Sequence, residues 1–276
     1  MRILAGIDLG MEGHDWLLTR ATRFAEATGG TLDLVYVSED ASHVATLGEM
    51  LEKVPAAHRG KGFTQAGAPE DVLIELSRTY DAMVIGPREP AGLERYTQGA
   101  MAVRILRRSR APVYVPRTDR LGVDAPKLLV GVDLESDRHD YVLDQAAVWA
   151  DRMGGTFDAV FAIPRSLPPL RRPELIARAE KEWAAAHEPE RERLAELLKT
   201  VGTDATRGDA RIAHGEPEDV LINESGDYHL VLVGNRERRG LSRLLLGGVA
   251  RHVVRQAGSD VLILPTAFLG QLKASA

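Results

Sequence analysis

The sequence predicts an α/β protein made of two tandem domains, each a parallel sheet with helices on both faces. Three observations carry this. Gly6-Ile7-Asp8-Leu9 returns as Gly131-Val132-Asp133-Leu134, and Gly29-Gly30-Thr31 returns as Gly154-Gly155-Thr156, both offset by 125 positions. Gly67-Ala68-Pro69-Glu70-Asp71-Val72-Leu73-Ile74 returns as Gly215-Glu216-Pro217-Glu218-Asp219-Val220-Leu221-Ile222, offset by 148; Gly86, Gly92-Leu93, Arg95 and Gly99 return at the same offset as Gly234, Gly240-Leu241, Arg243 and Gly247. Within each copy, short apolar runs alternate with segments of helical period, the pattern of a parallel sheet. A repeat this long is a domain with its own core, not a solenoid unit. The change of offset from 125 to 148 gives copy two 23 extra residues between its Gly-Gly-Thr and its Gly-x-Pro.

Copy one opens with an apolar run, Ile3 to Leu9, that reads as a buried parallel strand. Trp16, Leu17, Ala21, Phe24 and Ala25 recur at helical spacing, and Gly29-Gly30 stops that helix. Thr31 to Val37 is a second strand, His43 to Val54 a short helix, and Gly62 to Ala66 a weak third strand. Pro69 opens a helix, where its missing amide costs nothing and Glu70 and Asp71 favour the positive end. A strand over 82–85, a helix over 99–108 and a strand over 112–115 complete the copy. Copy two repeats the order: strand 127–133, helix 138–153, strand 156–163, strand 210–214, helix 217–225, strand 229–233, helix 247–257 and strand 260–264. Its insert, 174–200, reads as a helix broken or restarted at Pro189, an amphipathic cover for the sheet edge with a partner-binding device as the other reading. The expected domains are 1–118 and 127–268, joined by a linker holding Gly122 and Pro126.

Apolar residues make up 44% and charged residues 27% of the 276, the ordinary globular range. No apolar stretch is long enough to span a bilayer, so no membrane role is expected. The amino-terminal apolar run is too short for a signal peptide. With no cysteine, disulfides, thiolate metal sites and cysteine nucleophiles are excluded, which fits a cytoplasmic protein. A net charge of −5 argues against a general nucleic-acid surface. The eight histidines show no ligand spacing, so no metal is expected. Ser136 has no histidine placed to activate it.

The segment after the fourth strand of copy two is the most specific: Leu230-Val231-Leu232-Val233-Gly234-Asn235-Arg236-Glu237-Arg238-Arg239-Gly240-Leu241-Ser242-Arg243-Leu244-Leu245-Leu246-Gly247-Gly248-Val249-Ala250. It resembles the universal stress protein family, whose fourth strand leads into G-x2-G-x9-G-(S/T). The aspartate ending strand one, the Gly-x-Pro and the Val-Leu-Ile-Leu-Pro strand fit as well, and the resemblance covers nearly the whole chain twice. It implies Rossmann-like domains of the adenine nucleotide alpha hydrolase type, each with a five-stranded parallel sheet, that pair through their last strands, Val113 to Val115 and Val261 to Leu264. A homodimer and an unnamed protein partner are further expectations.

In family members that bind ATP, the first-strand aspartate contacts the adenosine end, a second-strand valine backbone contacts adenine, and the glycines and a hydroxyl residue hold the phosphates. Glycines let backbone amides approach phosphate, and a helix amino end adds positive potential. Carried onto this sequence, Asp8 and Asp133 match the aspartate, Val37 and Ala162 the valine position, Gly86 and Gly234 the first glycine, and Gly99 and Gly247 the third. The second glycine is instead Glu89 in copy one and Glu237 in copy two. The hydroxyl residue is Ala100 in one and Gly248 in the other. A carboxylate 4 Å from phosphate repels by about 1 kcal/mol in water and by several when partly buried. A lost hydrogen bond to a charged group costs about 1.5–3 kcal/mol. Together these weaken binding by about two decades. Arg236, Arg238 and Arg239 offer copy two a partial offset, whereas copy one has only Arg88 nearby.

Each of these residues also has a plain structural reading. The aspartates tie down a turn, the glycines allow close packing, the Gly-x-Pro motifs make strand-to-helix turns, the arginines form a solvated face, and His214 ends a strand. The leading functional reading is a non-enzymatic stress-response or regulatory protein with weak or lost ATP binding. The alternative is a nucleotide-binding switch using copy two; ATP or another adenine nucleotide is then the ligand. The third is an ATP-hydrolysing enzyme. Such enzymes carry a Ser-Gly-Gly-type loop after strand one, which Asp8-Leu9-Gly10-Met11 and Asp133-Leu134-Glu135-Ser136 do not provide.

Overall fold

The apolar runs form the middle of a single ten-stranded sheet. The computed structural model describes residues 1–10, 13–86, 100–136, 139–164, 173–235 and 247–265. The first half contributes β1 (Arg2–Gly6), β2 (Thr31–Val37), β3 (Arg59–Gln65), β4 (Ala82–Ile85) and β5 (Val113–Val115). The second contributes β6 (Lys127–Gly131), β7 (Thr156–Ile163), β8 (Arg207–His214), β9 (Leu230–Gly234) and β10 (Asp260–Leu264). Their order across the sheet is β3-β2-β1-β4-β5-β10-β9-β6-β7-β8. Neighbours run parallel within each half. At the centre β5 meets β10 antiparallel, with Val113, Tyr114 and Val115 opposite Ile263, Leu262 and Val261.

Helices cover both faces because residues of alternating direction on the strands are apolar on both sides. One face takes α1 (His14–Thr28), α2 (His43–Glu52), α5 (His139–Arg152) and α7 (Glu188–Lys199), through Phe24, Leu51, Leu143 and Leu194. The other takes α3 (Pro69–Leu76), α4 (Ala100–Arg108), α8 (Pro217–Glu224) and α9 (Gly248–Gln256), through Leu73, Ile105, Leu221 and Val253. The glycine pairs stop α1 and α5 as expected. Gly29 and Gly154 both take φ 62°, and the amides of Gly30 and Gly155 reach back 2.8 Å to the carbonyls of Ala25 and Ala150.

The first strand of each copy is shorter than the apolar run suggests, ending at Gly6 and Gly131. The chain turns there because the following aspartate captures a nearby amide: Gly10 N–H donates to Asp8 Oδ1 at 3.0 Å, and Glu135 N–H to Asp133 Oδ1 at 3.1 Å. The third strands begin earlier than expected, at Arg59 and Arg207, despite their polar residues. The insert is two helices, α6 (Pro173–Ala186) and α7, restarted at His187 with Pro189 in the first turn. α7 lies against edge strand β8 as α2 lies against β3, so α6 is the added element. The inner side of α6 is held by Trp183, whose ring meets those of His187 at 4.5 Å and His214 at 5.7 Å.

A buried polar cluster recurs at the amino ends of the strands. Asp33, the third residue of β2, accepts from the Tyr80 hydroxyl at 2.7 Å, the Lys61 amide at 2.9 Å and the Arg2 guanidinium at 3.0 Å. Asp158, in β7, accepts from the Tyr228 hydroxyl at 2.6 Å, the Asp209 amide at 2.9 Å and the Lys127 ammonium at 2.9 Å. Burial alone would raise the Asp158 carboxyl; the Tyr228, Asp209 and Lys127 contacts outweigh it and hold it below its ordinary value.

The seam between the halves is packed and capped from both sides. Tyr114 stacks on Phe24 with ring centroids 4.3 Å apart, and Phe24 in turn lies 5.6 Å from Trp149 of the other half. The Tyr114 hydroxyl donates to Asp260 Oδ2 at 2.6 Å, while Asp260 Oδ1 accepts from the amides of Arg117 and Thr118, both at 2.7 Å. Arg117 donates to the carbonyls of Ala257 and Val254 at the end of α9. Asn235 does the reverse, donating to the carbonyls of Leu106 and Arg107 at the end of α4, each at 3.2 Å.

Candidate functional site

In a doubly wound sheet a ligand binds outside the carboxyl ends of the strands. The strand register decides which residues meet there. In the first half Gly6 lies opposite Val35 on β2 and Ile85 on β4. Asp8, Val37 and Gly86 therefore follow within two residues of one rank across the sheet. In the second half Gly131 lies opposite Val160, and Val130 opposite Leu232, so Asp133, Ala162 and Gly234 take the equivalent places. The structure thus brings together three anchors per copy. α4 begins at Ala100 and α9 at Gly248, with Gly247 as its N-cap. Gly99, Glu89, Glu237, Arg236 and Arg238 lie outside the described residues.

Each anchor can be tested for the work it does locally. The aspartates hold their own turns, as described above. Asp8 is exposed and Asp133 half-buried. Gly86 is closely packed: a Cβ there would come 3.0 Å from Leu17 Cδ2 on α1, so the leucine end would have to give by a few tenths of an ångström. Gly131 packs likewise, its notional Cβ 2.8 Å from Leu221 Cδ1. Gly248 differs: a Cβ there would meet nothing within 4 Å among the described residues. Val37 is half-buried and Ala162 buried at the ends of their strands, with backbone groups engaged in the sheet up to that point.

Electrostatically the site in the second half rests on the amino end of α9. Its N-cap, Gly247, has no side chain to cap the helix with, its amide donates to the Asn235 carbonyl at 3.3 Å, and the helix presents its positive end at the strand edge. Neither α4 nor α9 starts with a hydroxyl residue. Among the described residues no group of three or more His, Asp or Glu side chains could hold a metal ion. No helix among them is long and apolar enough to cross a membrane. A depression of about 440 Å³ lies along α1, lined by Asp15, Thr19, Arg23 and Lys53, and uses none of the strand-end anchors.

Two features escaped sequence reasoning. The duplicated Asp–Tyr–cation clusters sit at the opposite, amino edge of the sheet and serve the fold. Their signal was an aspartate inside an apolar strand in both copies, Asp33 and Asp158, at the offset of 125. The second is Asn235. It directly follows the site glycine Gly234, is 2% exposed, and bonds across the seam. Its signal was a contrast between copies, since the residue 148 positions earlier is Pro87.

The model of the universal stress protein family matches residues 125–265. A universal stress protein of Mycolicibacterium smegmatis is 26% identical over 70% of this chain and 64% of its own length. One of Mycobacterium bovis is 26% identical over 71% of this chain and 65% of its own. The chain therefore spans less than two thirds of those relatives. Among solved structures, a functionally unknown protein of Pseudomonas aeruginosa aligns over 100% of this chain and 97% of its own with TM-score 0.69 and 21% identity. A universal stress protein of Archaeoglobus fulgidus aligns over 96% and 98% with TM-score 0.65 and 18% identity. At these identities the likeness is one of fold.

Proposed function

Because the chain belongs to the universal stress protein family, we propose that it is a tandem, two-domain member, with domains 1–118 and 127–268, that acts by binding and not by catalysis, and whose affinity for ATP is weak or lost. The observation that carries this is the start of the phosphate-side helices. Ala100 and Gly248 open α4 and α9, so neither helix supplies the hydroxyl expected to meet a phosphate. The sequence adds Glu89 and Glu237 at the second-glycine positions. The first-strand aspartates support the reading too, since each is already engaged in its own turn. Regulation then falls to a protein partner in the cytoplasm.

Isothermal titration of the full chain with ATP tests this. The expected dissociation constant is weaker than about 100 µM, two decades from a micromolar binder; micromolar binding sinks the reading. A repaired variant, Glu237→Gly with Gly248→Ser, is expected to gain at least tenfold, about 1.4 kcal/mol. A Cβ added at Gly248 meets no described atom within 4 Å.

A second reading is favoured by the contrast between copies. Copy two has Arg236, Arg238 and Arg239 where copy one has Arg88 between Pro87 and Glu89. If copy two is a nucleotide switch, Arg238→Ala weakens whatever nucleotide affinity the chain has, whereas an unchanged affinity removes this reading.

A further inference from the structure

Asn235 joins two places that the tandem arrangement otherwise keeps apart. Its amide N–H donates to the Leu264 carbonyl at 2.9 Å, which fixes it to the end of β10. Its carbonyl accepts from Gly247 N–H at 3.3 Å, which ties the end of β9 to the start of α9 and closes the root of the β9–α9 connection. Its side chain crosses the seam and donates to the Leu106 and Arg107 carbonyls at 3.2 Å. These are the carboxyl-terminal carbonyls of α4, which have few partners within a helix and accept any donor offered. One buried residue therefore touches the glycines of the second site and the far end of the helix whose amino end borders the first. α4 is 9 residues long, so the two ends are about 13 Å apart along a rigid element.

We propose that Asn235 is a positioning residue that couples the two sites, so that the root of the β9–α9 connection and α4 of the other half order and loosen together. In the first copy the equivalent residue is Pro87, which has neither an amide hydrogen nor a side-chain donor, so this set of bonds cannot recur there. Among the described residues, Arg117 bonds the end of α9 from the other side of the seam. This inference rests on the reading that Gly234 and Gly247 border a binding site, and thermodynamic linkage makes the effect reciprocal.

Hydrogen exchange by mass spectrometry on the full chain tests it without a ligand. Asn235→Ala is expected to speed exchange about five- to tenfold, a typical coupling, both at 247–251 and in α4 around 104–108, while β1, β2 and β6 stay as they were. Asn235→Asp has the same shape but turns donors into acceptors opposite the carbonyls, so it should speed α4 further. A change confined to 104–108, where the lost side chain was bonded, a change confined to 247–251, or an equal change everywhere overturns the proposal, since a purely local role gives the first and a general loss of packing the last. Should both variants fold poorly, Met101→Gly perturbs the exposed side of α4 instead; reciprocity then requires faster exchange at 247–251, and none there overturns the coupling. Titrating the wild type and the Glu237→Gly, Gly248→Ser variant with ATP separates the premise. Coupled exchange with no ATP gain in the repaired variant refutes the binding reading and leaves the coupling standing.

Discussion

Asp158 shows how much a single carboxylate can decide. Its folded pKa lies below its unfolded value, so it contributes stability that is fully present above about pH 4 and is lost as the pH falls through the folded value. Denaturant titrations of wild type and Asp158→Asn are therefore expected to converge between about pH 5 and pH 2; a constant gap across that range contradicts the cluster. Tyr228→Phe should cost about 1–3 kcal/mol at neutral pH, because it leaves the buried Asp158 carboxylate short of a donor. None of this was legible locally. Asp158 and Tyr228 are 70 positions apart, and no spacing rule links them. The repeat alone held a trace, in that both copies keep an aspartate in the second strand and a tyrosine before the fourth. At the candidate site the same limit applied in reverse: Asp8, Gly86 and their counterparts were readable as residues that follow the strands, but only the structure shows that a Cβ on Gly86 would press on Leu17 and that one on Gly248 would meet no described atom.

At the scale of elements, the strongly patterned pieces were readable and the polar ones were not. β2, β4, β7 and β10 fall where the apolar runs placed them. The starts of β3 and β8 did not, because Arg59-Gly60-Lys61 and Arg207-Gly208-Asp209 have no apolar signature. They are strand because of what lies beside them. Asp33 and Asp158 accept the amides of Lys61 and Asp209, and a Cβ on Gly60 or Gly208 would overlap the Asp33 or Asp158 carboxylate. The turns into α3 and α8 were readable for a local reason: Gly67 and Gly215 hold φ 131° and 135°, and a proline opens the helix. Gly215→Ala is expected to lower stability by more than about 1 kcal/mol, seen as a lower thermal midpoint with an unchanged far-ultraviolet spectrum. An unaltered midpoint contradicts the strained turn.

For the whole molecule, the repeat gave the number of halves, and the central seam supplies what the repeat alone could not, a single continuous sheet. Each half ends in a strand whose outer edge is unpaired until its sibling arrives. Residues 1–118 alone are accordingly expected to self-associate through Val113–Val115 with Tyr114 and Phe24 behind them, giving a dimer by sedimentation velocity at micromolar concentration. A strictly monomeric half shows that the edge is not sticky enough to matter. The seam also carries two unlike caps, Arg117 on α9 and Asn235 on α4. In an assembly of two identical chains, a self-complementary contact must change on both sides whenever one residue changes. Here the two sides are written at separate positions of one chain, so either can drift while the other is kept. Their meeting needs no encounter in solution, and dilution does not part them. Tethering therefore gives this molecule a licence for asymmetry: one cleft can specialise while the other holds the frame.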